Sequence, residues 1–116
     1  MATELRPARA LQLWHAAMLD LVRDRDPDLS VRQMAILLTI YLEPPPHTVR
    51  GLAAKLGVTK PVITRALDSM GQLDLVSRRR DDLDRRNVVI QRTVRGALHL
   101  ERLADLLSTK AAELQP

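Results

Sequence analysis

The chain has 116 residues, 46% hydrophobic and 28% charged, which is the size and balance of one folded domain with a real core. It has no cysteine, which excludes disulfides, thiolate chemistry, thiol sensing and Cys-ligated zinc. Its net charge of +4 is segregated: residues 47–95 hold eleven Lys or Arg against five Asp, whereas 1–46 hold five against six and 96–116 two against three.

A uniformly solubilised surface gives no reason for that segregation, whereas a surface that meets a polyanion does. The core must be built from Leu, Val, Ile, Met and Ala, since Trp14 and Tyr41 are the only aromatics. No apolar run approaches the ~20 residues that span a bilayer. The N-terminal MATELRPARA lacks the apolar stretch of a signal peptide. A cytoplasmic protein without membrane association is expected.

In chain order, Leu11, Trp14, Met18, Leu21 and Val22 recur at helical spacing, which predicts a helix over 6–25 with apolar residues on more than one face. Pro27 closes it. Ser30 followed by Gln33 has the form of a capping box and opens a second helix through MAILLTIYLE, stopped by Pro44, Pro45 and Pro46. The Pro triplet reads as a turn between helices rather than a polyproline ligand. Thr48 is an N-cap for a short helix, VRGLAAKLG, ended by Gly57, and Thr59 caps the next, with Pro61 tolerated in its first turn. Val76 and Val88 to Ile90 are β-branched segments on either side of RRRDDLDRRN, a pair of strands joined by a charged loop. Thr93 caps a last helix in which leucines again cover more than one face.

The stretch VRGLAAKLGVTKPVITRALD, residues 49–68, carries the function. Two helices meeting across a tight turn need apolar or small inner positions. Leu52 and Leu56 would bury the first helix, Ala53 admits the second, Gly57 takes the positive-φ turn, Val58 plugs the corner, and Ile63 and Ala66 face the core. Thr59, Lys60, Pro61, Thr64 and Arg65 are left outward, and their hydroxyl, ammonium and guanidinium groups are those that reach phosphates and base edges in a major groove. This is a helix-turn-helix. Followed by strand, charged loop and strand, it becomes a winged helix with its wing over 78–92 and its tip from Asp81 to Asn87. Arg85 and Arg86 suit a narrow minor groove, which concentrates negative potential. Asp84 would hold Arg86 by a charge-assisted hydrogen bond. Arg78, Arg79 and Arg80 alternate along a strand, so they cannot all face DNA; Arg78 and Arg80, with Thr48, are assigned to phosphates.

LAAKLGVTKPVITRALDSMGQLDLVSRRRDDLDRRNVVIQRTVRG resembles the DNA-binding core of the MarR family of bacterial transcription regulators. The likeness covers residues 30–96, and Asp84-Arg85-Arg86 and Thr93-x-x-Gly96 are its most specific parts. The resemblance implies a winged-helix dimer that binds pseudo-palindromic double-stranded operators and commonly represses, with a recognition helix over Thr59 to Leu73. It also implies an effector in many members. An effector of this chain is left open, because thiols are absent and two aromatics leave little material for an aromatic-lined pocket.

Other readings fare worse. His15, His47 and His99 stand far apart without ligand spacing, so no catalytic site, metal or cofactor is assigned. Asp81, Asp82 and Asp84 lack the Gly and distal Glu of an EF-hand. The basic segment lacks the stacking aromatics of an RNA reader. A winged helix serving only protein contact remains the alternative and would want apolar residues where Thr59, Lys60, Thr64 and Arg65 stand. The end helices, with apolar residues on more than one side, call for a partner surface, and a two-fold dimer through Leu11, Trp14, Met18, Leu100, Leu103 and Leu107 is expected. The full expectation is a mainly α protein with a small β-hairpin. It forms one winged-helix domain, with a DNA-binding core at 30–92 flanked by dimerisation helices at 6–25 and 93–114.

Overall fold

The computed structural model describes residues 5–24 and 27–114. It contains helices α1 (Pro7–Arg23), α2 (Val31–Leu42), α3 (Val49–Leu56), α4 (Lys60–Gln72) and α5 (Val94–Glu113). Strands β1 (His47–Thr48), β2 (Val76–Arg80) and β3 (Val88–Arg92) complete it. The chain divides into two compact units, one formed by Leu29–His99 and the other by the N-terminal 28 residues with those from Leu100 onward.

The Leu29–His99 unit is a helical core with a small antiparallel sheet. Ser30 and Gln33 form the capping box: Ser30 Oγ accepts from Gln33 N–H at 3.0 Å, and Gln33 Oε1 accepts from Ser30 N–H at 2.8 Å. Ile36, Leu37 and Ile40 of α2 are buried, as are Leu52 and Ala53 of α3 and Ile63, Ala66, Leu67 and Met70 of α4. The four buried positions of α4 follow the spacing of one helical face, so its opposite face is free to meet a partner. Gly57 sits at φ 69°, ψ 36°, the left-handed conformation that lets α3 stop and α4 begin three residues later. Leu56 is half-buried rather than core, because this last residue of α3 lies beside the turn; Leu52 takes the interior position.

The sheet differs from the expected hairpin by one strand. Its order is β1-β3-β2, with His47 opposite Ile90 and Thr48 opposite Val89 on one side, and Val76 opposite Arg92 through Arg80 opposite Val88 on the other. Two residues are too few to show a strand period in sequence; pairing with β3 makes β1 a strand. The prolines therefore lead into a strand rather than directly into a helix.

Thr93, Gly96 and Tyr41 lock the sheet to the helices. Thr93 Oγ1 accepts from Gly96 N–H at 2.9 Å, capping α5, and donates to the Asp74 carbonyl at 2.7 Å. The Tyr41 hydroxyl accepts from Thr93 N–H at 2.9 Å and donates to the Leu75 carbonyl at 2.8 Å. A Cβ at Gly96 would lie 1.9 Å from that hydroxyl and 2.3 Å from the Leu75 carbonyl oxygen, so only glycine fits. Arg92 is also structural. Its Nε donates to the Ile40 carbonyl at 2.9 Å and its Nη2 to that of Glu43 at 3.0 Å, with the guanidinium 5.8 Å from the Tyr41 ring centroid. It supplies a cation to the C-terminal end of α2, whose own last turn has none.

In the other unit, α1 ends at Arg23, ahead of Pro27, and the expected end at Arg25 lies outside the described residues. Ala17 is buried, Lys110 Nζ lies 3.4 Å from Asp20 Oδ2, and Arg9 donates to the Leu114 carbonyl. Leu11, Trp14 and Met18 are exposed at 69%, 53% and 38%, one apolar stripe along α1 that none of the described residues covers. Leu100, Leu103 and Leu107 are half-buried. No helix among the described residues is long and apolar enough to cross a membrane.

Candidate nucleic-acid interface

The outward face of α4 carries the side chains anticipated for it. Thr59, Lys60, Pro61, Thr64 and Arg65 are all exposed. Thr59 occupies the N-cap position but, contrary to expectation, makes no capping hydrogen bond through its side chain. Pro61 removes one of the amides that such a bond would serve, and the hydroxyl is left to the exterior. Thr48 caps α3 as expected, its Oγ1 accepting from Gly51 N–H at 3.0 Å.

The wing is a tightly bonded loop. Asp81 N–H donates to the Asn87 carbonyl at 3.0 Å and Asn87 N–H to the Asp84 carbonyl at 2.9 Å, closing the tip. Asp84 Oδ1 accepts from Arg86 N–H at 3.1 Å and from Arg86 Nε at 3.2 Å. The Arg86 side chain, followed by its amide, holds the Asp84 carboxyl below the usual carboxylate range. The pairing expected between these two residues is therefore present. Arg80 is occupied inside the wing, its Nη1 donating to the Arg85 carbonyl at 2.8 Å. Arg78 Nη2 lies 2.8 Å from Asp68 Oδ1 and ties β2 to α4, while Arg79 pairs with Asp82 at 3.5 Å. Arg78 and Arg80 share a strand face with buried Val76, and Arg79 takes the other, as alternation requires.

The fold thus sorts the basic segment into two classes. Lys55 (paired with Glu43), Arg78, Arg79, Arg80, Arg86 and Arg92 hold the structure together. Among the described residues, no hydrogen bond or ion pair engages the side chains of Arg50, Lys60, Arg65, Arg85 and Arg95. Charge counting in the sequence cannot make this distinction, because the partners of Arg78 and Arg92 lie ten or more residues away.

Two depressions flank α4. A cleft of about 660 Å³ is lined by Thr48, Val49, Arg50, Lys60, Asp84, Arg86, Asn87 and Val88. It brings together Thr48, Lys60 and the Asp84–Arg86 pair, which the sequence holds up to 38 residues apart. The other, about 400 Å³, runs along α4 and is lined by Ser30, Arg32, Gln33, Val62, Arg65, Ala66 and Ser69. Arg50, Asn87 and Arg32 were not singled out from sequence. Arg50 carried a usable signal, as a cation in the first turn of a helix beside its N-cap; Arg32 carried none, since only packing brings α2 against α4. The two depressions offer cations and hydroxyls on either side of an exposed helix, chemistry suited to phosphate. Of the three histidines, His15 is exposed and His47 and His99 are each 9% accessible, and no group of three or more metal-ligating side chains converges among the described residues.

Known structures share this fold. The chain is similar to the transcriptional regulator Tm0710 from Thermotoga maritima, with 22% identity and a TM-score of 0.76 over 90% of this chain and 71% of that one. It is similar to FabT of Streptococcus pneumoniae in complex with DNA, with 24% identity and a TM-score of 0.70 over 91% and 71%. A third match is MepR of S. aureus in a DNA complex, with 19% identity and a TM-score of 0.70 over 88% and 78%. At these identities the likeness is one of fold. No curated protein matches the chain in sequence. The MarR family model matches residues 28–87, more than half of the chain, covering the helix-turn-helix and the wing through its tip at Asn87, and the chain belongs to that family.

Proposed function

We propose that this protein is a sequence-specific double-stranded DNA-binding transcription regulator and no enzyme, acting as a homodimeric repressor at a pseudo-palindromic operator. Residues 30–92 are its DNA-binding core, and the helices over 6–25 and 93–114 join two copies. The carrying observation is the sorting of charge described above: Lys60 and Arg65 stand exposed and unpartnered on the outer face of α4 while the wing's aspartates are taken up inside the wing. In this reading α4 enters the major groove, Thr59, Lys60, Pro61, Thr64 and Arg65 meet base edges and phosphates, and Arg85 and Arg86 enter the minor groove from the wing. Thr48, Arg78 and Arg80 lie at the backbone, Arg78 also tying the wing to α4 through Asp68 and Arg80 bracing the wing from within. FabT and MepR, which share the fold, have been solved with DNA.

The uncovered stripe of Leu11, Trp14 and Met18 supports the dimer, with Leu100, Leu103 and Leu107 contributing from α5. A purely protein-binding winged helix would present apolar groups where α4 presents Thr59, Lys60, Thr64 and Arg65. Selection of bound duplexes from a random pool, repeated at raised salt, tests the proposal. It should return a palindromic consensus with half-sites about one helical turn, ~34 Å, apart. Binding that is equal for all duplexes and vanishes with salt would refute sequence-specific regulation.

A further inference from the structure

Leu83, at the tip of the wing, is 97% exposed, the most exposed large apolar side chain among the described residues. It stands in the most charged stretch of the chain, between Asp82 and Asp84, where a solvated loop gains nothing from a leucine. The bonds around it hold it in place. Its amide donates to Asp81 Oδ1 at 3.0 Å, and the Asp81–Asn87 and Asn87–Asp84 backbone bonds close the loop on which it sits. Arg80 clamps the carbonyl of Arg85 from the strand below.

The charges of the tip are also arranged around it. Asp81 is engaged by the Leu83 amide, Asp82 by Arg79 and Asp84 by Arg86, so each acid that would repel a phosphate already has a partner. Among the described residues, the side chains left without a partner at the tip are Leu83, Arg85 and Asn87. An apolar wedge beside a free guanidinium on a pre-ordered loop has the chemistry of a minor-groove reader, in which an aliphatic side chain presses between base pairs while arginine meets the negative potential of the groove.

We propose that Leu83 is an apolar wedge that enters the minor groove of bound DNA and partly unstacks a base step there, adding preference for a flexible pyrimidine–purine step beneath the wing. The inference rests on the DNA-binding reading above and goes beyond it by assigning a base-contacting role to a residue outside the recognition helix and the wing arginines. Burial of a leucine side chain on docking predicts that Leu83→Ser raises the operator Kd roughly tenfold, whereas Leu83→Met, equally apolar, stays within about threefold of the parent. Because Leu83 has no packing to lose, both variants should melt with the parent.

The test uses the full-length chain and the operator selected in the preceding experiment, with 2-aminopurine placed in turn at the steps beneath the wing. The parent and Leu83→Met should raise 2-aminopurine fluorescence at one step, and Leu83→Ser should not. An unchanged Kd and an unchanged fluorescence signal for Leu83→Ser would overturn the wedge and leave the regulator reading standing. Loss of affinity in Leu83→Ser without any fluorescence rise in the parent would also overturn it, since Leu83 would then touch the backbone only. Failure of the parent to select any operator would instead remove the DNA-binding reading, and the wedge with it.

Discussion

Gly96→Ala tests the junction on which the wing is mounted. The added methyl carbon would lie 1.9 Å from the Tyr41 hydroxyl, 2.3 Å from the Leu75 carbonyl oxygen and 2.7 Å from Tyr41 Cζ. Two of these atoms belong to the rigid phenol of Tyr41 and one to backbone, so none can swing aside as the tip of a flexible chain would. Relief requires moving the Tyr41 ring, which breaks its 2.8 Å bond to the Leu75 carbonyl and the 2.9 Å bond from Thr93 N–H. Overpacking costs about 1–3 kcal/mol, and stranding one of those backbone groups costs about 1–3 kcal/mol more. Alanine returns roughly 0.5–1 kcal/mol as the better helix former. Taken at their mid-values, these leave a net loss of roughly 3 kcal/mol, a fall in Tm of ~12 °C for a chain of this length. Thermal unfolding followed by far-UV circular dichroism measures it, with urea unfolding as the check on free energy. In the Tyr41→Phe background the shortest contact is gone, so the double variant should lose less than the two single losses together. A Gly96→Ala protein that melts within a few degrees of the parent would refute the argument that close approach, and not loop geometry, demands glycine here.

Three further outcomes are expected. Leu52→Ala, at 2% exposure, should lose ~2–5 kcal/mol through a core cavity, while Leu56→Ala, half-buried, should lose distinctly less in the same urea titration; equal losses would show that the helix faces are misassigned. Arg65→Ala should cost ~1–3 kcal/mol of operator binding and relax preference at one position, whereas Arg86→Ala should weaken all duplexes alike and reduce the salt slope by about one; identical effects on cognate and random DNA from both variants would overturn the division of roles. The Asp84 carboxyl is held below its ordinary range by Arg86, so its bond favours the ordered wing above the pKa of a free carboxylate and is lost only as pH falls through the lowered value. An NMR titration should therefore keep the Arg86 Nε–H signal through the usual carboxylate range and lose it only in stronger acid; loss of that signal near neutral pH would exclude the Asp84 bond as its origin.

Much of the site was legible because its signals are local. The Ser30–Gln33 box, the Thr48 cap, the left-handed Gly57 and the Thr93 cap all join residues within a few positions of one another, and each has the bonds or conformation its residue type implies. The Asp84–Arg86 pair spans two residues and was equally readable. Where an expectation missed, a distant partner or a local substitute intervened. β1 exists only through β3, Leu56 yields the interior to Leu52, and Thr59 leaves its cap unused where Pro61 has removed an amide.

Periodicity, caps and turn residues thus settled by themselves that this chain would build a helix-turn-helix with a wing, since each acts over one or two turns of backbone and needs no other part of the molecule. Which cations are free was decided by tertiary structure alone. Arg78 meets Asp68 across ten positions and Arg92 meets Ile40 across 52, and a charge-assisted bond depends on a separation of a few ångströms that sequence distance does not encode.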